Sequence, residues 1–203
     1  MPHITILDQS TINKIAAGEV IERPSSVVKE LLENAIDAQA TAVTVEIRDG
    51  GISYIRVTDN GCGIPKEEVP LAFLRHSTSK IKSVEDLFTV SSLGFRGEAL
   101  SSIASVAQVE LITKTSEQLS GTRYQIEGGV ERSYEEVGAP DGTTFLVRNL
   151  FYNTPARQKF LKTAQTEGSH VAALVEKIAM SHPDISIRFI QNNQNRLHTS
   201  GNH

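Results

Sequence analysis

The chain has 203 residues, 39% of them hydrophobic and 22% charged, which is the composition of an ordinary globular domain with room for one core. Its net charge of -4 argues against bulk attraction to nucleic acid or a membrane surface, and its single cysteine, Cys62, excludes an internal disulfide and fits a reducing interior. No basic segment followed by a long apolar run opens the sequence and no stretch approaches a membrane span, so a cytoplasmic protein without membrane contact is expected.

Residues 1 to 23 carry scattered apolar positions, among them Ile4, Ile6, Leu7, Ile12, Ile15 and Val20. They read as an amino-terminal arm that needs a surface to lie on, with Ser10 as a candidate cap for a short helix. Pro24, with Ser25 and Ser26, starts a long helix. On it Val28, Leu31, Leu32, Ala35 and Ile36 form one apolar stripe at helical spacing. Glu30, Asn34 and Asp37 follow i, i+4, i+7 and share the opposite face. Asn and Asp are mediocre helix formers, because their short polar groups compete for the backbone. Aligned with a carboxylate in a helix interior, they suggest a face that holds something, although an ordinary amphipathic helix fits as well.

Val43, Val45 and Ile47 alternate as a half-buried strand, and Asp49-Gly50-Gly51 signals a tight hairpin. The return strand runs from Ile52 to about Asp59. Its period of two puts Ile55, Val57 and Asp59 on one face, so Asp59 points the way its apolar neighbours point. A second helical stretch covers about residues 66 to 76, disturbed by Pro70. Residues 77 to 92 are rich in Ser, Thr and Lys without a clean period, which suggests a functional lid. A helix opening with glycine follows over 97 to 106. Strands are expected near 109–113, 123–127, 131–136 and 144–149. Thr154-Pro155 starts a helix, and Val171, Leu174, Val175, Ile178 and Ala179 mark another amphipathic one. A last hairpin spans 185–190 and 196–199. Helices interleaved with hairpins predict an α+β fold, a two-layer α/β sandwich with a mixed, mostly antiparallel sheet.

Three segments carry candidate chemistry. Asp59-Asn-Gly-Cys-Gly-Ile64 is either a plain turn or a loop that lets backbone approach a ligand closely. A carboxylate on the core side needs hydrogen-bond donors, and the amino group of an adenine ring is one. Leu93-Gly-Phe-Arg-Gly-Glu-Ala-Leu100 frees amides at a helix start, where an anion such as a polyphosphate fits. No Gly-Lys-Ser/Thr follows, so it is not a Walker motif, and Glu98 could simply complement the helix dipole. Asp141-Gly-Thr-Thr144 opens a strand with hydroxyls available to a phosphate or a water, or is merely a turn. Arg157, Lys159 and Lys162 form a small basic run of the kind that is usually solvated. The six histidines show no metal-ligand spacing, no zinc site is expected, and nothing resembles an activated serine or cysteine nucleophile.

Four of these pieces occur in one order: Glu30-x-x-x-Asn34-x-x-Asp37-Ala38, Asp59-x-Gly61-x-Gly63, Gly94-Phe-Arg-Gly97 and Gly142-Thr143-Thr144. The order resembles the GHKL ATPase superfamily of gyrase, the ATP-driven cytosolic chaperone and sensor histidine kinases, whose ATP-binding fold is the Bergerat type. The longer runs Lys14-Ile-Ala-Ala-Gly-Glu-Val-Ile21, Arg75-His-Ser-Thr-Ser-Lys-Ile81, Gly94-Phe-Arg-Gly-Glu-Ala-Leu100 and Phe151-Tyr-Asn-Thr-Pro-Ala-Arg157 resemble the MutL family of DNA mismatch repair proteins, in its amino-terminal ATPase region. The resemblance covers essentially the whole chain. The Gly-Phe-Arg-Gly-Glu-Ala-Leu run decides against a histidine kinase or a topoisomerase.

The resemblance implies a role for each matched position. Glu30 would be the general base that polarises the attacking water, and Asn34 would ligate Mg²⁺. Asp59 would hydrogen-bond the adenine amino group, with Gly61 and Gly63 making room for the ring and Thr143 supporting that network; Ala38 would also be an ATP-binding position. Thr78 and Lys80 would belong to a lid around the nucleotide. Amides of Gly94, Phe95, Arg96 and Gly97 would cradle the phosphates, and Glu98 would belong to the same nucleotide-binding set. It further implies residues 24–203 as an ATP-binding domain behind the arm at 1–23, with a second amino-terminal domain and a carboxy-terminal dimerisation domain lying outside this sequence. ATP and Mg²⁺ are the expected cofactors, and a weak Mg-dependent ATPase is the expected activity in the full-length context, with little turnover without the second domain. A MutS-type mismatch recognition protein, and a second copy of the chain on ATP binding, are the expected partners. DNA contact would be weak and salt-sensitive, through Arg96, Arg157, Lys159 and Lys162, and mainly through regions outside this sequence.

Overall fold

The computed structural model describes residues 3–75 and 98–202. The amino-terminal helix α1 spans Gln9–Val20 and is capped by Asp8, whose side chain accepts from the Thr11 amide at 2.6 Å. Ser10, the expected cap, lies inside the helix; a carboxylate two residues earlier meets the free amides better. Helix α2 spans Pro24–Asp37. Proline sits in its first turn, where its missing N–H costs nothing. Val28, Leu31, Leu32 and Ala35 are buried and Ile36 is partly so, as the stripe predicts, and Val27, outside the stripe, is buried with them.

Strand β1 (Ala42–Arg48) turns back into β2 (Tyr54–Asp59) in antiparallel pairing. The link is longer than a tight hairpin, because Asp49–Gly51 form a 3-10 turn with Asp49 at φ 54° and Gly50 at φ 68°. The predicted helix over 66 to 76 is broken up. A 3-10 turn at Lys66–Glu68 leads into the short helix α3, Val69–Ala72. Pro70 starts this helix rather than disturbing it. The lid expected at 77–92, and Gly97 at the next helix start, lie outside the described residues.

Helix α4 (Ala99–Val106) precedes β3 (Gln108–Lys114), β4 (Gly121–Glu127), β5 (Val130–Val137) and β6 (Gly142–Arg148). Helices α5 (Pro155–Phe160) and α6 (Ala164–Ser181) follow, then β7 (Ser186–Gln191) and β8 (Gln194–His198). Asn192 and Asn193, both at positive φ, make the turn between the last two strands.

The eight strands form one sheet in the order β5-β4-β3-β6-β2-β1-β7-β8. Every neighbouring pair is antiparallel except β1 with β7. Helices α2, α4 and α6 contribute their apolar faces to a single core together with Val43, Val45, Ile47, Ile55, Val57, Leu111, Phe145, Val147, Ile187 and Phe189. The opposite sheet face is charged. There Glu46 pairs with Arg56 at 2.8 Å, and Glu110 pairs with Arg123 at 2.5 Å and Arg148 at 3.3 Å. Arg48 and Arg148 both lie over the ring of Tyr54. The result is a two-layer α+β sandwich with a mixed, mostly antiparallel sheet, as the sequence predicts.

The 151–157 run joins distant pieces. The amide of Phe151 donates to the Val106 carbonyl at 2.7 Å, and the Asn153 side chain donates to the Ser105 carbonyl at 2.9 Å. The segment thus satisfies the carboxyl end of α4, where backbone acceptors otherwise go unpaired. Arg157 is not simply solvated. Its guanidinium lies over Gly18 of α1, where a Cβ would come within 1.9 Å of it.

A carboxylate and hydroxyl row beneath the glycine loop

Asp59 ends β2 facing the helix layer and is only 9% exposed. Its Oδ1 accepts the Gly61 amide at 2.8 Å, and the Thr143 amide on the adjacent strand also donates to the carboxylate. Burial pushes its pKa up, and these two backbone donors only partly offset the rise.

The loop that follows is clipped down on both sides. Asn60 accepts from the Thr41 and Ala42 amides at 2.9 and 3.0 Å and donates to the Thr41 hydroxyl at 2.8 Å. The Cys62 amide donates to the Ala38 carbonyl at 3.0 Å, which joins the loop to the carboxyl end of α2. A Cβ on Gly61 would come within 2.8 Å of the Ala38 Cβ. Gly63 has φ 73° and faces the Lys114 carbonyl, which a Cβ would meet at 2.2 Å. Close approach and backbone conformation together require glycine there.

Asp59 pairs in register with Thr143 on β6, Thr143 with Thr113 on β3, and Thr113 with Thr122 on β4. Directly opposed residues share a face, so these four make one polar row under the helices. All are buried; Thr113 is 1% exposed. The Thr113 hydroxyl accepts the Ile64 amide at 2.9 Å and donates to the Gly142 carbonyl at 3.1 Å. It also lies 2.9 Å from the Thr143 hydroxyl. Thr144, one residue on, turns to the charged face and meets Thr58 at 3.2 Å. Lys114, the neighbour of Thr113 on β3, pairs with Asp141 at 2.5 Å.

Glu30, Asn34 and Asp37 share the half-buried face of α2, with Ala38 at its carboxyl cap beside the glycine loop. Glu98 caps the start of α4 by position, without a side-chain cap bond, and pairs with Arg75 at 3.8 Å. Thr78, Lys80, Gly94, Phe95, Arg96 and Gly97 lie outside the described residues. The structure therefore brings together Asp59, Gly61, Gly63, Thr143 and Ala38, and places Glu30 and Asn34 on the helix that Ala38 ends. Among the described residues, no cluster of three or more His, Cys, Asp or Glu side chains is placed to hold a metal.

Sequence reading misses Thr113 and Asn60. The signal for Thr113 is present, since Val109, Leu111 and Thr113 alternate as Ile55, Val57 and Asp59 do. Asn60 gives none, because its partners Thr41 and Ala42 lie far back along the chain, across a strand pair.

Comparison with known proteins agrees with this architecture. Residues 21–141 match the model of the histidine kinase-, DNA gyrase B- and HSP90-like ATPases. The chain belongs to that ATPase family. Within it the similarity is to DNA mismatch repair protein MutL. The Agathobacter rectalis MutL is 72% identical over 202 residues, covering 100% of this chain and 31% of the relative. The Desulforamulus reducens MutL is 55% identical over 197 residues, covering 97% of this chain and 30% of the relative. The chain spans about a third of the length of these relatives. Among solved structures, the Aquifex aeolicus MutL ATPase domain complexed with ADP superposes with a TM-score of 0.73 at 34% identity. It covers 91% of this chain, and this chain covers 66% of it. Among the described residues no helix is long and apolar enough to cross a membrane.

Proposed function

We propose that the chain is the ATP-binding switch of a MutL-type mismatch repair protein, in which nucleotide binding orders a lid and the arm at residues 1–23 and drives two copies together. The observation that carries the reading is the buried Asp59 at a strand end, with the glycine loop clipped between it and the carboxyl end of α2. A buried carboxylate held by two backbone donors keeps lone pairs for a further donor, and an adenine amino group supplies one. In this reading Ala38, Gly61 and Gly63 border the base, and Thr143 supports the Asp59 network.

Glu30 is assigned as general base and Asn34 as the magnesium ligand. A lone amide oxygen suits Mg²⁺, which keeps waters and takes further oxygens from the triphosphate. Thr78 and Lys80 are assigned to the lid, the amides of Gly94, Phe95, Arg96 and Gly97 to the phosphate cradle, and Glu98 to the nucleotide-binding set beside it. Amides at the start of α4 meet the negative charge of the phosphates. Phosphoryl transfer to water then depends on positioning and charge neutralisation more than on covalent chemistry. Residues 24–203 are the ATP-binding domain in this scheme. A MutS-type protein is the upstream partner, DNA contact is weak, and the compartment is the cytoplasm.

Titration calorimetry with magnesium and an unhydrolysable ATP analogue tests the reading. The expected result is saturable binding that Asp59→Ala abolishes. Unchanged affinity in that variant defeats the assignment of Asp59. Binding of the analogue together with no phosphate release from ATP itself, measured in a separate assay, would mark the chain as a nucleotide-binding module with little turnover.

A further inference from the structure

A threonine hydroxyl has one proton to give and two lone pairs to accept with. Thr113 makes three contacts inside a 1% exposed site. The Ile64 amide can only donate, so it takes one lone pair, at 2.9 Å. The Gly142 carbonyl can only accept, so it takes the proton, at 3.1 Å. The Thr143 hydroxyl, at 2.9 Å, is left with the second lone pair and must donate its own proton into it. All three contacts are satisfied together only in this arrangement. Any other leaves a buried polar group without its partner, which is costly.

The consequence falls on Thr143. With its proton committed to Thr113, its oxygen offers only lone pairs to anything else. Directly opposite on β2, Asp59 in its ionised form also offers only lone pairs. The wall under the glycine loop is therefore a paired acceptor. An exocyclic amino group, with two N–H donors, matches it. A carbonyl oxygen in the same place would meet lone pairs on both sides.

We propose that Thr113 is a positioning residue that sets base selectivity: by holding the Thr143 proton, it makes Thr143 and Asp59 a joint acceptor that favours a 6-aminopurine nucleotide over a 6-oxopurine one. This rests on the nucleotide reading of the site. Thr113 never touches the base. It acts through Thr143, and through Ile64 and Gly142 it also fixes the loop and the start of β6 to each other.

The test compares magnesium complexes of unhydrolysable ATP and inosine triphosphate analogues by calorimetry, on wild type, Thr113→Val and Thr113→Ser. Valine keeps the shape and removes the hydroxyl. It frees the Thr143 proton to face a carbonyl, so the preference for the amino base should fall by about tenfold or more. Serine restores the hydroxyl and should restore the preference, which a packing role for the methyl would not do. Thr143→Val removes the acceptor itself and leaves Thr113 its other two partners, so it should lose the preference even if Thr113→Val does not fold. An unchanged preference in a folded Thr113→Val, or in Thr143→Val, overturns the proposal. If wild type binds both analogues equally, the selectivity proposal falls and the nucleotide reading stands. If it binds neither, both fall.

Discussion

Burial sets the chemistry of Asp59. Removing a carboxylate from water raises its pKa, and the Gly61 and Thr143 amides do not fully restore it. The ionised form accepts from an amino group more strongly than the protonated one, which turns an O–H donor into the site. Affinity for an adenine nucleotide should therefore fall as pH drops through this raised value, at a higher pH than an ordinary aspartate would cause. Calorimetry across that range checks this, and an inosine analogue should show no matching fall. For folding, the same shift has the opposite sense. The stability linked to Asp59 is present below the ordinary carboxylate range and is lost as pH rises through its raised pKa. At Glu30, an alanine should leave nucleotide affinity intact while phosphate release drops by about 10²–10⁴-fold, the usual contribution of a positioned base. A fall in affinity as large as the fall in turnover would place Glu30 among the binding groups instead. Asp59 is legible in the sequence because alternation along one strand fixes direction. The bonds of Thr113 are not, because Ile64, Gly142 and Thr143 come from segments that only the sheet brings together.

At the level of elements, α2 sets the position of the proposed catalytic face by burying the other one. Leu32 is 0% exposed in the core. Leu32→Ala should cost about 2–5 kcal/mol in urea unfolding, through lost burial and the cavity left behind. A cost near zero would mean that the helix is not held by this stripe. Helix α1 meets a side chain instead. At Gly18 a methyl group would meet the Arg157 guanidinium, the far end of a flexible side chain, so Gly18→Ala should displace that guanidinium while the helix gains alanine's propensity, and amide exchange over residues 9–20 should not rise. The helices with clear stripes, α2 and α6, are readable within a few residues. The 66–76 stretch is not, because a proline that interrupts one helical pattern can equally begin another helix, as Pro70 does. Arg157 reads as solvated because nothing in a local run shows that a glycine from the far end of the chain lies beneath it.

For the molecule as a whole, the charged sheet face balances the apolar one. Burial alone would raise the pKa of Glu110, but the hydrogen bond and charge of Arg123, and then of Arg148, pull it below the ordinary carboxylate range. Its stabilising contribution is present above that range and is lost as pH falls through the lowered value. Acid unfolding monitored by circular dichroism should show this loss, and Glu110→Gln should flatten it. The two-layer class and the mixed sheet are legible, since alternating strands and striped helices leave few ways to bury both faces. Strand order is not, because register across distant segments leaves no local trace. That order has a consequence for biosynthesis. Ala42 pairs with Ser186, so β1 waits with an open edge until the carboxyl-terminal hairpin leaves the ribosome. Its Val43, Val45 and Ile47 are then a template for strands of neighbouring nascent chains. Refolding should accordingly be slow and lose yield as concentration rises, and a chaperone that shields that edge should recover the loss.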